Sequence, residues 1–586
     1  MHYVCTLILA TGIIAGVSAQ DGPSEVQAQL DSLLREQAVR HTLIGASFSL
    51  LDIQQPQVYL SHFGYSSLSS AKAVDSQTLF KIGSCTKTMT AMAVMQLVER
   101  GAVRLDIPIT DYLPELQFRK PAGMADITIH HLLCHTSGLR SEIENGSFTS
   151  KRKENCYASD LQGDTLLVPP GHIWSYSNLG YGLLGCLIER LSGLSYGDYL
   201  RANLFEPAGM LHTRLFEELQ TSEQLLQGYW ADSSVYVEPG LRDLAAGDVV
   251  STISDMNRFM EIFLRGGRIN GHQILSPESL EMMMQNQVAG TALSTSDEYG
   301  YGLFVLNMET VSDTIIGPLA AHKGDTRVFH SAFLVAPRIG LATAVLTNSE
   351  HGDAITNSMM LAGMEYYLKH QKGIDISATT YDGFCPEALV YSPLTNTQVV
   401  GEYDLGVGGM VRVKATGKKR LKWKTDFKSP SVILNQVEAG LYKVKVVLFK
   451  VLPIKVKSLR IFFEEVDGQV YLKQMSEGDC SVDYTGKLRK RLYSGNAWES
   501  HVGDYEVLNL EPGVALMVPV AIRTYHGMVY LKVRDTISTV TQELTFEPVS
   551  DSLAVHNFVG RGIGDYIKVL DNGNLYYSGF EIRKKQ

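Results

Sequence analysis

The stretch Ser84–Arg100, SCTKTMTAMAVMQLVER, places a hydroxyl and an amine three residues apart where a long helix is predicted to begin. It contains no proline and no glycine, its apolar residues lie nearly all round the helix, and Gly101 follows it. That pattern is typical of a buried helix that ends at a glycine. Residues at i and i+3 share a helix face, so Lys87 can reach the Ser84 hydroxyl. The N–H of Ser84 has no acceptor within the helix and can hold a developing negative charge.

Two further motifs stand at turns later in the chain. Tyr176-Ser177-Asn178 follows the turn-like stretch 169–174 and precedes an apolar, helix-like run. His322-Lys323-Gly324 lies before the run 329–335, which predicts strand, turn and strand. Each motif alone is weak, because Ser-x-x-Lys is usually a helix cap with a solvated lysine, and a lone Tyr or His usually packs. Their combination and order carry the information.

Together, the three motifs resemble the penicillin-recognising serine hydrolases: class C β-lactamases, D-alanyl-D-alanine carboxypeptidases and related esterases and D-amino-acid peptidases. The family pattern is Ser-x-x-Lys, Tyr-x-Asn, then Lys-Thr-Gly or His-x-Gly. The stretches 132–139 (LLCHTSGL) and 246–252 (AGDVVST) are also similar to the family. The resemblance implies an α+β fold class, with an antiparallel sheet flanked by helices and an all-helical subdomain.

Acyl transfer needs a nucleophile, a base within hydrogen-bond reach and donors aimed at the oxyanion. Ser84 is the candidate nucleophile. Either Lys87 gives up its proton, or its positive charge favours the phenolate form of Tyr176. The resemblance implies that Tyr176 is the general base, and that Asn178 holds the substrate amide or Lys87.

The third motif has His322 where β-lactamases have lysine. Because side chains alternate along a strand, His322 and Gly324 are expected to face the cleft and Lys323 to point away. Gly324 is expected to let the substrate lie close to the strand backbone. The resemblance implies that the N–H of Asp325 is the second oxyanion donor. Without a fixed positive charge, the site favours neutral esters, lactones or amides, or binding that depends on pH.

Three functions remain open. The first is an exported serine hydrolase that cleaves ester or amide bonds of a small molecule or short peptide through an acyl-serine intermediate. The second is a β-lactamase or a D-alanyl or D-amino-acid peptidase. The third is a catalytically silent binding or scaffold protein, although the joint presence of Ser84, Lys87, Tyr176 and Asn178 favours an enzyme. We expect no cofactor and no metal, because His130, His131 and His135 do not share a helix face well.

At 586 residues, the chain exceeds what one core usually organises. The predicted divisions are a signal peptide at 1–19, a hydrolase domain at 20–370, a linker at 371–395 and a β-rich domain at 396–586. The last is either lipocalin-like or a duplicated β module, because VGEYD at 400–404 recurs as VGDYE at 502–506.

The apolar run Val4–Val17 and the small-residue site Val17-Ser18-Ala19 predict export to the periplasm or the extracellular space. No later stretch reaches transmembrane length. A net charge of -10 argues against nucleic acid as a partner, and an oligomer is possible. The six cysteines that remain after signal removal permit disulfides without assigning their pairing, and Cys134 with Cys156 is the pairing to test first.

Overall fold

A computed structural model describes most of the chain. The described residues are 23–55, 57–147, 158, 161, 163–219, 226–293, 298–309, 315–376, 394–405, 410–425, 431–438, 441–448, 452–476, 482–489, 495–510, 517–536, 540–556 and 564–586. The predicted signal peptide, Cys156 and most of the predicted linker lie outside these residues.

The N-terminal domain combines helices with antiparallel strands, which confirms the predicted α+β class. Its strands are β1 Gly45–Asp52, β2 Val58–Ser67, β3 Lys72–Ala73, β4 Phe80–Lys81, β5 Arg214–Leu215, β6 Gly228–Tyr229, β7 Val235–Tyr236, β8 Val249–Ser251, β9 Arg268–Ile269, β10 His272–Gln273, β11 Phe304–Glu309, β12 Ile315–Asp325, β13 His330–Ala336 and β14 Leu341–Thr347. Its helices are α1 Pro23–Arg40, α2 Thr86–Glu99, α3 Ile109–Tyr112, α4 Ile129–Leu133, α5 Asn178–Ser192, α6 Tyr196–Leu200, α7 Glu206–Ala208, α8 Leu244–Gly247, α9 Ile253–Leu264, α10 Pro277–Met283 and α11 Asp353–Tyr367.

Seven strands form the main sheet, in the order β11-β12-β13-β14-β1-β2-β3. Helices cover both faces, because the central strands are apolar on both sides. On one face, Phe48 of β1 packs with α1 and α11, whereas on the other Phe333 of β13 packs against Phe259 of α9. The sheet is therefore a buried layer that fixes β12 and its third motif.

The helix predicted over Ser84–Arg100 consists of a 3₁₀ turn, Gly83–Cys85, followed by α2. Every α2 residue from Thr86 to Leu97 is buried. This helix packs against α5 and α8, so the second motif and the stretch 246–252 lie beside it. Complete burial explains why its apolar residues do not follow a single face.

Two closed eight-stranded barrels follow the N-terminal domain, which confirms the predicted β-rich C-terminal domain. The first barrel comprises β15 Gly401–Asp404, β16 Met410–Gly417, β17 Arg420–Thr425, β18 Ser431–Glu438, β19 Leu441–Leu448, β20 Leu452–Val466, β21 Gln469–Ser476 and β22 Val482–Leu488. The second barrel comprises β23 Gly503–Val507, β24 Met517–Tyr525, β25 Met528–Asp535, β26 Thr541–Pro548, β27 Leu553–His556, β28 Tyr566–Val569, β29 Leu575–Tyr577 and β30 Phe580–Lys584.

The repeated sequence at 400–404 and 502–506 contains the first strand of each barrel. Tyr403 and Tyr505 occupy the same place in the two copies. Each hydroxyl donates to the carbonyl oxygen four residues earlier, on Val399 and His501, at 2.8 Å in both cases. The same local hydrogen bond thus recurs at the start of both barrels.

The predicted disulfide between Cys134 and Cys156 is wrong. Cys134 is a free, buried thiol whose Sγ lies 3.1 Å from the carbonyl oxygen of His130. Cys186, on α5, is disulfide-bonded. Among the described helices, none is long and apolar enough to cross a membrane.

Close packing of α11 on the sheet leads to a first prediction. A Cβ added at Gly363 would lie 2.5 Å from Cζ of Phe48, so Gly363→Ala must displace a ring in the core. We expect a loss of about 1–3 kcal/mol in the free energy of unfolding, despite the better helix propensity of alanine. Denaturant titration tests this, and Phe48→Leu in the same chain should recover part of the loss. A single variant as stable as the wild type would contradict the packing described.

Candidate active site

Ser84 lies on the 3₁₀ turn between β4 and α2, and Lys87 lies one turn further on. Nζ of Lys87 is 3.1 Å from Oγ of Ser84 and 2.7 Å from the carbonyl oxygen of Ala246 on α8. Lys87 is fully buried, whereas Ser84 is partly exposed. A neutral amine can donate to Ala246 and accept from Ser84, and a protonated one can donate to both. The geometry thus suits proton exchange between the two side chains.

The second motif lies against this pair. Nζ of Lys87 is 4.8 Å from the centre of the Tyr176 ring. Ser177 caps α5, because its Oγ accepts from the N–H of Gly180 at 3.0 Å. The cap fixes Tyr176 immediately before the helix and Asn178 as its first residue. The structure therefore brings the first and second motifs together.

Asn178 makes a contact that the sequence did not predict. Its Nδ2 donates to Oε1 of Glu142 at 2.7 Å. Its Oδ1 is buried and has no hydrogen-bond partner among the described residues. The side chain can therefore still accept a hydrogen bond from an amide N–H or an ammonium group.

His135 contacts two residues of the second motif, Tyr176 and Ser177. Its ring lies 4.3 Å from the Tyr176 ring, and its Nδ1 accepts from the N–H of Ser177 at 3.1 Å. Tyr181 and Tyr299 complete this aromatic wall, at 5.0 Å and 4.9 Å from the His135 ring. The sequence predicts no metal site at His135, and only the fold shows how close this side chain lies to Tyr176.

His322 is buried on β12 and carries no charge near neutral pH. Burial, together with the positive charge of Lys87, lowers its pKa to about 3. Its Nδ1–H can donate to the carbonyl oxygen of Lys323 at 2.6 Å, which leaves Nε2 to accept from the Tyr299 hydroxyl at 3.2 Å. A neutral imidazole is thereby fixed in one tautomer. Lys323 lies on the opposite face, where its Nζ is 3.8 Å from Oδ2 of Asp325.

Gly83, just before the first motif, and Gly324 of the third motif allow two backbones to meet. A Cβ on Gly324 would lie 1.8 Å from the carbonyl oxygen of Ile82. Ile82 directly precedes the nucleophile turn, which is the 3₁₀ turn Gly83–Cys85 with the candidate nucleophile Ser84. Gly83 has a positive φ of 47°, and its own Cβ would lie 3.0 Å from the N atom of Asp325. Gly324 was expected to make room for a substrate, but the structure shows that it makes room for the nucleophile turn. This contact places the N atom of Asp325 close to the backbone of the turn that carries Ser84.

Cys85, the neighbour of Ser84, faces the core. Burial raises the pKa of its thiol to about 12, and its Sγ lies 3.2 Å from Oγ of Ser331. A thiol that remains protonated near neutral pH is a poor nucleophile. Ser84 is therefore the side chain on this turn that is placed to react.

A buried charge cluster, consisting of Lys81, Glu238 and Asp248, connects the two sides of the site. Nζ of Lys81 is 3.6 Å from Glu238 and 3.9 Å from Asp248, and all three side chains are almost fully buried. Glu238 also accepts from the N–H groups of Arg327 and Val328, at 2.8 Å and 3.0 Å, in the turn after Asp325. The cluster thus joins β4, which leads into the nucleophile turn, to the end of β12. This cluster could not be predicted from the sequence, because Lys81 is distant in the chain from both acids.

Lys81→Met should destabilise the protein strongly, because two buried carboxylates would lose their cation. Removing one partner of a buried ion pair typically costs about 3–5 kcal/mol. Thermal denaturation should show a large fall in Tm. Arg104→Met, which breaks the exposed pair with Asp106, is the matched control and should leave Tm almost unchanged. Equal effects of the two substitutions would contradict the role of the cluster.

Asp248 leads to a pH-dependent prediction. Burial raises the pKa of this carboxyl to about 7, although Lys81 lowers it. Between about pH 4 and pH 7, the folded protein therefore keeps a proton on Asp248 that the unfolded chain has released. The stability that this proton uptake contributes is complete below about pH 4 and is lost as the pH rises to about 7. The free energy of unfolding of the wild type minus that of Asp248→Asn should decrease from pH 5 to pH 8. A difference that rises or stays constant over this interval would contradict the assignment.

The comparisons with known proteins agree with this geometry. The Beta-lactamase family model matches residues 30–361, more than half of the chain. Penicillin-binding protein 4 of Amycolatopsis lactamdurans is 31% identical over 293 residues, which cover 47% of this chain and 74% of that protein.

Two solved structures share the fold. The octameric penicillin-binding protein homologue from Pyrococcus abyssi has a TM-score of 0.50 and 23% identity, and the match covers 79% of this chain and 99% of that one. SurE with D-Leu has a TM-score of 0.55 and 21% identity, with 79% and 100% covered. The chain belongs to the beta-lactamase family of serine hydrolases.

Proposed function

We propose that the protein cleaves neutral ester or amide bonds through a covalent acyl-Ser84 intermediate. The observation that carries the proposal is the contact between Lys87 and Ser84, 3.1 Å long, beside Tyr176. The proposed nucleophile and the groups proposed to accept its proton thus lie together.

In the proposed reaction, Oγ of Ser84 bonds to the carbonyl carbon of the substrate as its proton moves towards Lys87 and Tyr176. The N–H groups of Ser84 and Asp325 hold the oxyanion, whose stabilisation is usually the largest electrostatic contribution in acyl transfer. When the tetrahedral species collapses, the bond to the leaving group breaks and the leaving group takes the proton. Water then attacks the acyl carbon while its proton passes to Tyr176. The bond between the acyl carbon and Oγ breaks, the acid is released, and Oγ of Ser84 takes the proton back from Tyr176.

The electrostatics of the third motif support neutral substrates. His322 is uncharged, and Lys323 lies on the other face of β12 beside Asp325. A substrate carboxylate would therefore find no cation at the position where β-lactamases have lysine. The low pKa of His322 also argues against binding that switches on near neutral pH, which was the alternative expected from the sequence.

The remaining alternatives differ in outcome. A β-lactamase or a D-alanyl or D-amino-acid peptidase would use the same serine but would form an adduct with penicillin or release a D-amino acid. A silent binding protein would show neither adduct nor turnover. We further propose export through the predicted signal peptide. An oligomer is also proposed, since one protein of the same fold is octameric.

Turnover of matched esters tests the proposal. The wild type should hydrolyse p-nitrophenyl butyrate faster than mono-p-nitrophenyl succinate, because the two share a leaving group and only the second carries a carboxylate. Ser84→Ala should lower kcat/KM by at least about 10³-fold. Cys85→Ala, next to the nucleophile, is the control and should retain turnover. Activity retained in Ser84→Ala, or a preference for the succinate, would refute the respective part of the proposal.

A further inference from the structure

The segment 140–145 forms hydrogen bonds with four successive residues, 176–179, which include the second motif. Oγ of Ser177 donates to the carbonyl oxygen of Arg140 at 2.9 Å, and Oγ of Ser141 donates to that of Tyr176 at 2.8 Å. The N–H of Leu179 donates to the carbonyl oxygen of Ser141 at 3.0 Å. Together with the bond from Asn178 to Glu142, this makes one contact for each residue from 176 to 179. The position of Tyr176 therefore depends on the position of this segment.

The second barrel holds the far end of the same segment. The turn Ser578-Gly579 joins β29 to β30, and both residues have positive φ, as a two-residue hairpin requires. Oγ of Ser578 accepts from the N–H of Glu144 at 2.9 Å, and its carbonyl oxygen accepts from the N–H of Asn145 at 3.1 Å. Nδ2 of Asn145 donates to the carbonyl oxygens of Gly579 and Asn509, both at 3.0 Å. The hairpin tip thus bonds to the backbone beside Glu142.

The near end of the segment is fixed by a buried ion pair that the barrel covers. Nη2 of Arg140 lies 2.6 Å from Oδ2 of Asp164, and the Arg140 side chain is only 2% exposed. Its guanidinium lies over the rings of Tyr566 and Tyr576, at 4.8 Å and 5.9 Å from their centres. The Tyr566 hydroxyl donates to Asp164. These two tyrosines therefore cover the side of the ion pair that faces the barrel.

The barrel also contacts the other side of the cleft. Nη2 of Arg327, two residues after Asp325, lies 2.7 Å from Oδ2 of Asp535 on β25. The barrel thus contacts both the segment 140–145 and the turn after β12, so it is attached to the N-terminal domain at more than one place.

We propose that the second barrel positions residues of the active site. Through Tyr566 and Ser578 it holds the segment 140–145 in place, and this segment in turn positions Tyr176 and Asn178. Tyr566 and Ser578 are positioning residues, since neither lies beside Ser84. The catalytic consequence rests on the proposed function, whereas the structural coupling does not.

The test uses the full-length chain with two variants and one matched control. Tyr566→Phe removes the hydroxyl bonded to Asp164 but keeps the ring over Arg140. Ser578→Ala removes the Oγ bonded to Glu144. Tyr505→Phe is the control, because it loses one buried hydroxyl bond in the same barrel, to His501, away from the hydrolase domain.

Two readouts separate positioning from general destabilisation. Amide hydrogen exchange at residues 177–180 should rise about fivefold in Tyr566→Phe and Ser578→Ala, the effect of one lost hydrogen bond, and stay unchanged in Tyr505→Phe. The kcat/KM for p-nitrophenyl butyrate should fall by about five- to tenfold, with a shift in the apparent pKa of its pH profile that the control lacks.

Faster exchange in the two variants alone would establish the coupling. Exchange and pH profiles identical to the wild type would overturn it, and so would equal changes in all three variants. If Tyr566→Phe does not fold, Ser578→Ala decides. A wild type without ester turnover would refute the proposed function, and the exchange comparison would then decide the coupling by itself.

Discussion

The site depends on the close approach of two backbones, the nucleophile turn and the end of β12. Gly324 lies against the carbonyl oxygen of Ile82, and Gly83, with its positive φ, lies against Asp325. No residue with a Cβ fits at Gly324 without displacing the turn. The hydroxyl of Ser331 holds the same carbonyl oxygen at 2.7 Å. Reaction geometry is therefore set by backbone contact, and the side chains of the three motifs are arranged around it.

The charges around this contact decide what can bind. Lys87 is buried beside Ser84, and the neighbouring imidazole of His322 is kept neutral by burial and by that same lysine. Lys81 is neutralised by Glu238 and Asp248. Positive charge is thus concentrated at the nucleophile, where a proton must move, and is absent from the place where a substrate carboxylate would lie. This distribution is the basis of the proposed preference for neutral substrates.

Local pattern was enough to predict the helix after Ser84, the helical run that follows the second motif and the strands around His322, because each depends on neighbouring residues. The order of the motifs was enough to predict the α+β class and the family. Long-range contacts could not be predicted: Glu142 on Asn178, His135 behind Tyr176, and Lys81 between two distant acids. The predicted Cys134–Cys156 disulfide failed for the same reason, since proximity along the chain does not determine which thiols meet. The sequence echo at 502–506 indicated a repeat, but only hydrogen-bond closure between first and last strands shows two barrels.

Mapping a fluorophosphonate adduct by peptide mass spectrometry tests the central claim most directly, because the reagent modifies only an activated nucleophile. The account predicts a single adduct on Ser84, within the peptide that also contains Cys85, and none after Ser84→Ala. An adduct on another residue, or none on folded protein, would contradict the assignment of Ser84 as the nucleophile.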